Sequence, residues 1–171
     1  GKAFLTHNRI ENLRQNPDPD IINSLLANAG KENDQTLLTQ LYELKGTYYL
    51  RMNNFAEAAK WFAKVPESYS LTHYKYDYET EKYIPTGISS DDFNGYSEIS
   101  PLIFSNGFKR LFSVPASSQL TDVMYEQYPY LNKEHNKATL TAALIQLEKE
   151  SQMMTEKGAR AAYMLANYYY N

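Results

Sequence analysis

Cysteine is missing altogether from this chain of 171 residues. Its absence excludes disulfide bonds, thiol catalysis and cysteine-based metal sites. It says little about compartment, since cytosolic and secreted proteins alike can lack the residue. Long apolar runs are missing too: no stretch approaches the ~18 residues of a membrane-crossing helix, so no transmembrane segment is expected. Positive charge is scarce. Lys and Arg number 17 against 20 Asp and Glu, a formal net charge of −3, and the cations are scattered rather than gathered along a phosphate-binding run. Nucleic acid is therefore a poor partner for this chain. Histidine occurs three times. His7, His73 and His135 fall in no metal-ligand spacing such as HExxH, and each reads as a surface or boundary residue. Serine-hydrolase, P-loop and dinucleotide-binding fingerprints are absent as well. The sequence thus carries an expectation of no metal, no cofactor and no enzymatic activity.

What the chain has in excess is tyrosine, 16 residues against a single tryptophan. Tyrosine joins a large apolar body to a polar tip, which suits both half-buried helix seams and wet binding surfaces. The length fits one domain with its own core, 1–171, in three parts: helical hairpins over 1–66, a Tyr- and Pro-rich insertion over 67–132, and a helical pair over 133–171. Residues 2–15 carry Phe4, Leu5, Ile10 and Leu13 at helical spacing, and Asn16-Pro17 stops them. Asp18-Pro19 caps the next helix, with Ile21, Ile22, Leu25 and Leu26 as its apolar face and Gly30 as the expected C-cap. A third helix starts near Asn33-Asp34 and runs its stripe through Leu37, Leu41, Leu44 and Tyr48. Asn53-Asn54 breaks it. Asn54 and Glu57 then form the expected capping box of a fourth helix, with Ala58, Phe62 and Val65 on one side, Trp61 beside them and Pro66 closing it.

Five of the seven prolines lie from Pro66 to Pro129, where helical periodicity weakens. Tyr74, Tyr76 and Tyr78 alternate with charged residues over 73–83, which predicts a short strand or extended arm. Asn94-Gly95 and Asn106-Gly107 are turn signals, and short helices are expected within 99–112 and 117–128. Periodicity returns at Asn136: Leu140, Leu144, Leu147, Ser151 and Met154 form one stripe. A break at Lys157-Gly158 and a last helix over 159–170 follow.

Residues 41–66 resemble the tetratricopeptide-repeat (TPR) family. Tyr42 takes the place of its first large residue, Gly46 its glycine, Tyr49 the next aromatic, Phe55 the turn aromatic, Ala58 the small contact and Phe62 the phenylalanine. Lys45 departs from the pattern, which has Leu there, as do Val65 in place of Ala and an early Pro66. A partial second match, Leu165-Ala166 with Tyr169, has Ala for Gly and stops at Asn171, which reads as truncation within a repeat. One such hairpin cannot stand alone, because ordering it costs on the order of 1–2 kcal/mol per residue, so neighbouring helices must cover it. The resemblance implies an all-α fold of antiparallel TPR-like hairpins, interrupted by the long irregular insertion.

It also implies a scaffold that binds a protein or peptide partner through its helices. A second expectation comes from the insertion. Helical-repeat glycan-binding proteins related to SusD combine TPR-like helices with aromatic-rich insertions, and Tyr74, Tyr76, Tyr78 and Tyr83 would be the sugar-binding residues here. That similarity favours an extracytoplasmic location, periplasmic or at the cell surface. The chain is much shorter than those proteins and carries no motif specific to them. Asp91-Asp92 lacks calcium-loop spacing and reads as a solvated turn. Asp77, Glu79 and Glu81 supply carboxylates for a third and weakest reading, a hydrolase, but face solvent on the expected strand.

Overall fold

Capping chemistry decides where most of the described helices begin. The computed structural model describes residues 2–66, 69, 73–86, 97–98, 126–131 and 134–170. These are mostly helical, in keeping with the all-α expectation. In order they form α1 (Lys2–Gln15), α2 (Pro19–Glu32), α3 (Gln35–Arg51), α4 (Phe55–Phe62), β1 (His73–Asp77), β2 (Lys82–Thr86), β3 (Ser97–Glu98), β4 (Glu134–His135), α5 (Lys137–Ser151) and α6 (Glu156–Tyr170). The chain divides into two compact units, residues 1–69 and 70–171.

In the first unit Asp18 accepts hydrogen bonds from the amides of Asp20 and Ile21 at 2.9 and 3.2 Å. Pro19 at the first helical position loses nothing by lacking an N–H. Gly30 does not end α2. The helix continues to Glu32, and Asn33 takes the left-handed C-cap conformation at φ 53°, donating to the carbonyls of Ala29 and Gly30; Asn is among the few residues that tolerate it. Asp34 caps α3 by accepting from the Leu37 amide at 3.0 Å. Asn54 caps α4 by accepting from Glu57 at 3.3 Å, but the expected capping box is only half made, because the Glu57 carboxylate turns to Lys60 at 2.6 Å. The last helical residue is Phe62, short of Pro66. Ile10 and Leu13 of α1, Ile22 and Ala29 of α2, and Leu41 and Leu44 of α3 form one buried cluster. α3 also packs along α4, burying Leu50, Phe55, Ala58, Phe62 and Val65. Each large apolar side chain so buried contributes ~1.5–3 kcal/mol.

In the second unit the period-two segment begins with the expected short strand, β1, which pairs antiparallel with β2 in a hairpin. Tyr76 pairs with Tyr83 and Tyr74 with Pro85, and Glu81 adopts φ 52° at the turn. β3 pairs antiparallel with β4. Asn136 and Thr139 complete a reciprocal capping box for α5. α5 ends at Ser151, so Met154 leaves the expected stripe and is fully exposed. The helix break falls within 152–155, not at Lys157-Gly158. Gly158 lies in the first turn of α6, donating its amide to Thr155 Oγ1 at 3.0 Å. Tyr128, Leu131, Ala143, Leu144, Leu147, Ala161, Met164 and Leu165 are buried. His135, expected at the surface or a boundary, is buried too, with Nδ1 3.1 Å from Thr139 Oγ1. The side chains of His7 and His73 lie outside the described residues. So do Asp91-Asp92, both Asn-Gly turns and the helices expected within 99–112 and 117–128, except that Glu126 and Gln127 are helical. Among the described residues no helix is long and apolar enough to cross a membrane.

Candidate functional site

A glycine sets how α3 meets α4. A Cβ on Gly46 would run into the Phe62 ring, 2.5 Å from Cδ1 and 3.0 Å from Cζ, so the ring lies directly on the α3 backbone. Gly46→Ala is therefore expected to destabilise the first unit by about 1–2 kcal/mol. Overpacking a core costs ~1–3 kcal/mol, and alanine's helix preference returns at most ~1 kcal/mol. Urea denaturation followed by Trp61 fluorescence measures this loss. In a Phe62→Leu background, which gives the new methyl room, Gly46→Ala should cost less.

With that contact made, the neighbouring residues form a mixed face. The Tyr42 and Trp61 rings sit 5.9 Å apart at 34°, both half-buried. Lys45, half-buried on α3, places Nζ 4.1 Å from the Trp61 ring centroid, and Asn23 Oδ1 of α2 accepts a hydrogen bond from it at 2.5 Å. Lys64, just beyond α4, holds Nζ 5.5 Å from the centroids of both Tyr42 and Trp61. Ammonium groups over aromatic faces are attracted by the ring quadrupole. Lys60 is paired with Glu57, whereas neither Lys45 nor Lys64 has a carboxylate partner among the described residues.

Of the positions that carry the repeat resemblance, Gly46, Phe55, Ala58 and Phe62 are buried and Tyr42 and Tyr49 half-buried. Tyr49 packs edge-on to Tyr48 at 5.2 Å. In the C-terminal partial match Leu165 is buried while Ala166 and Tyr169 are exposed. Asn23 and Lys64 carried no signal in the sequence. Lys45 did, as the residue that departs from the repeat pattern.

On the hairpin, Tyr76 and Tyr78 are exposed, Tyr78 by 86%, and their rings meet edge-to-face at 5.1 Å. The side chains of Tyr74 and Tyr83 lie outside the described residues. Asp77 organises the turn: its Oδ1 accepts from the Glu79 amide at 3.2 Å and its Oδ2 from the Thr80 hydroxyl at 2.5 Å. The Thr80 bond first, then the Glu79 amide, holds the Asp77 carboxyl below its ordinary pKa. A depressed folded-state pKa stabilises the turn above the unfolded value of ~4, and that contribution is lost as pH falls through the folded value. Protection of the Glu79 amide, its slowing relative to the intrinsic exchange rate at each pH, should accordingly fall on acidification, and an Asp77→Asn variant should lose that pH dependence.

Two further charged clusters are built into the units. In the first, Arg14 Nη1 meets Glu43 Oε2 at 2.9 Å, with the Glu43 side chain 0% exposed. In the second, the Tyr130 hydroxyl donates to Glu150 Oε2 at 2.6 Å and Lys157 Nζ lies 3.4 Å from Glu150 Oε1. Burial and the Glu150 bond push the Tyr130 hydroxyl far above its ordinary pKa. The cleft beside them, about 400 Å³ and open, is lined by Gln127, Glu156, Lys157 and Arg160. Arg160 bonds Gln127 and Glu156 there, so its polar groups are already engaged with one another. Among the described residues no group of three or more His, Asp or Glu could hold a metal ion. Comparison with family models, curated proteins and solved structures finds no match to this chain.

Proposed function

We propose that this protein is a non-enzymatic interaction module, built from TPR-like hairpins, that binds a protein or peptide partner through α3 and α4. The observation that carries the proposal is the face formed by Tyr42, Lys45, Trp61 and Lys64. It combines half-buried rings with cations that have no carboxylate partner among the described residues. Tryptophan and tyrosine are among the side chains that dominate binding surfaces, and the helices that carry them here are packed closely where Gly46 meets the Phe62 ring. An array of peptides of varied composition, probed with the whole chain, tests it. A subset of peptides should bind and should bind weakly or not at all to Trp61→Ala; binding that is unaffected by this change, or no binding, counts against the proposal.

The second reading, glycan binding, is favoured by the exposed Tyr76–Tyr78 ring pair, since tyrosine faces can stack on sugar rings. A glycan array read with Tyr76→Ala and Tyr78→Ala decides it. Binding that these changes abolish supports the reading, and the absence of any glycan ligand sinks it.

A further inference from the structure

We infer that the Lys45–Lys64 face takes an acidic segment of its partner, a run of Asp and Glu side chains. The inference rests on the peptide-binding reading above and names the partner's chemistry. Charge is the first ground. The chain as a whole is acidic, 20 carboxylates against 17 basic residues, yet two ammonium groups converge on Trp61 with no carboxylate beside them among the described residues. A pair of cations that no described carboxylate offsets is a local positive spot, and a complementary segment is steered to it.

Geometry is the second ground. Asn23 accepts only one of the three N–H donors of the Lys45 ammonium, which leaves the others for ligand oxygens. The rings beneath exclude water from one side of each cation, which strengthens its attraction for an anion. Lys45 and Lys64 both stand close to the Trp61 ring, 4.1 and 5.5 Å from its centroid, with Tyr42 alongside, so a ligand reaching this ring meets two cations. Both cations are lysines, point charges without the planar fork by which arginine grips a carboxylate or a phosphate bidentately. Carboxylate side chains approaching singly suit them.

Trp61 is the only tryptophan of the chain and lies within the site, so its emission reports occupancy directly. The test titrates the whole chain with a Glu-rich peptide, the same peptide with Gln for Glu, a phosphoserine version and a Lys-rich peptide, with calorimetry alongside. The Glu-rich peptide should give a saturable change in Trp61 emission that the Gln and Lys peptides do not. Its affinity should fall about tenfold as salt rises from about 0.05 to 0.3 M, where charges become screened. Lys64→Glu, at an exposed position, should weaken it by about tenfold or more and Lys45→Gln by less, with circular dichroism confirming that each variant is folded. The inference is overturned if the Glu-rich peptide does not bind, if Lys64→Glu binds it equally well, or if the phosphoserine peptide binds more tightly. Should uncharged or basic peptides bind this face instead, the acidic inference falls and the peptide-binding reading stands. Should no peptide bind, both fall.

Discussion

Replacing Glu43 with alanine is expected to cost the first unit about 3–5 kcal/mol, the range for breaking one side of a buried ion pair. Glu43 is fully buried on α3, with Oε2 on the Arg14 guanidinium of α1 at 2.9 Å and Oε1 accepting from the Thr47 hydroxyl at 3.1 Å. The Arg14 side chain is itself only 14% exposed. Burial alone pushes Arg14 toward the neutral form, but the Glu43 charge and hydrogen bond, together with Tyr69, outweigh it and leave the pKa above its ordinary value. Arg14 thus stays charged, and without Glu43 it becomes a buried cation whose remaining carboxylate partner among the described residues is Glu11, 3.4 Å from Nε at the surface. Because the folded-state value is raised, the Arg14 contribution is complete at neutral pH and fades only in strong alkali. The loss in Glu43→Ala should therefore be the same at about pH 7 and 9. Urea denaturation read by Trp61 fluorescence measures it. Replacing both partners, Arg14→Met with Glu43→Leu, should recover most of the loss. A loss below about 1 kcal/mol would mean that the pair behaves as a surface salt bridge.

Among the described glycines, Gly158→Ala should be the most damaging substitution. A Cβ there would fall on the carbonyl of Met153, 2.7 Å from its carbon and 3.1 Å from Cβ, with the carbonyl oxygen closer still. Unlike the Phe62 ring against Gly46, a backbone carbonyl cannot rotate aside. The turn at 152–155 must be rebuilt, at the expense of the Thr155 cap on the Gly158 amide. The expected cost is about 3 kcal/mol, the upper end for overpacking, of which better helix propensity returns at most ~1 kcal/mol. Circular dichroism in urea, with amide exchange along α6, reads the effect. Gly30→Ala is the internal control. Nothing lies within 4 Å of the Cβ it would add, so it should stabilise α2 by up to ~1 kcal/mol. If Gly158→Ala cost less than Gly46→Ala, the account of the α5–α6 turn would be wrong.

Why these residues were hard to read in the sequence is a matter of range. Asp18-Pro19, Asn54 and Asn136 announce their helices because a cap is a bond to a residue two or three positions on, and such bonds are written locally. Asn33 displaced Gly30 as a C-cap because both tolerate the terminal conformation, and only the packing of the last turn chooses between them. Glu43 sits between Tyr42 and Leu44 and reads as the polar side of α3. That it is buried depends on Arg14, which lies 29 positions earlier. Gly158 looks like a helix breaker by composition, yet its role is close approach to Met153. The alternation over 73–83 showed extended backbone but not the return strand, since Lys82–Thr86 holds a proline and little alternation of its own. Lys45 is the instructive case. It was legible only as an exception to the repeat pattern, and the exception is what places a cation on Trp61.

The central claim, that α3 and α4 form the binding face, is tested most directly by hydrogen–deuterium exchange on the whole chain with and without the strongest binder from the peptide array. The account predicts slowed exchange across residues 42–64. Protection confined to the hairpin at 73–86, with 42–64 unchanged, would contradict it.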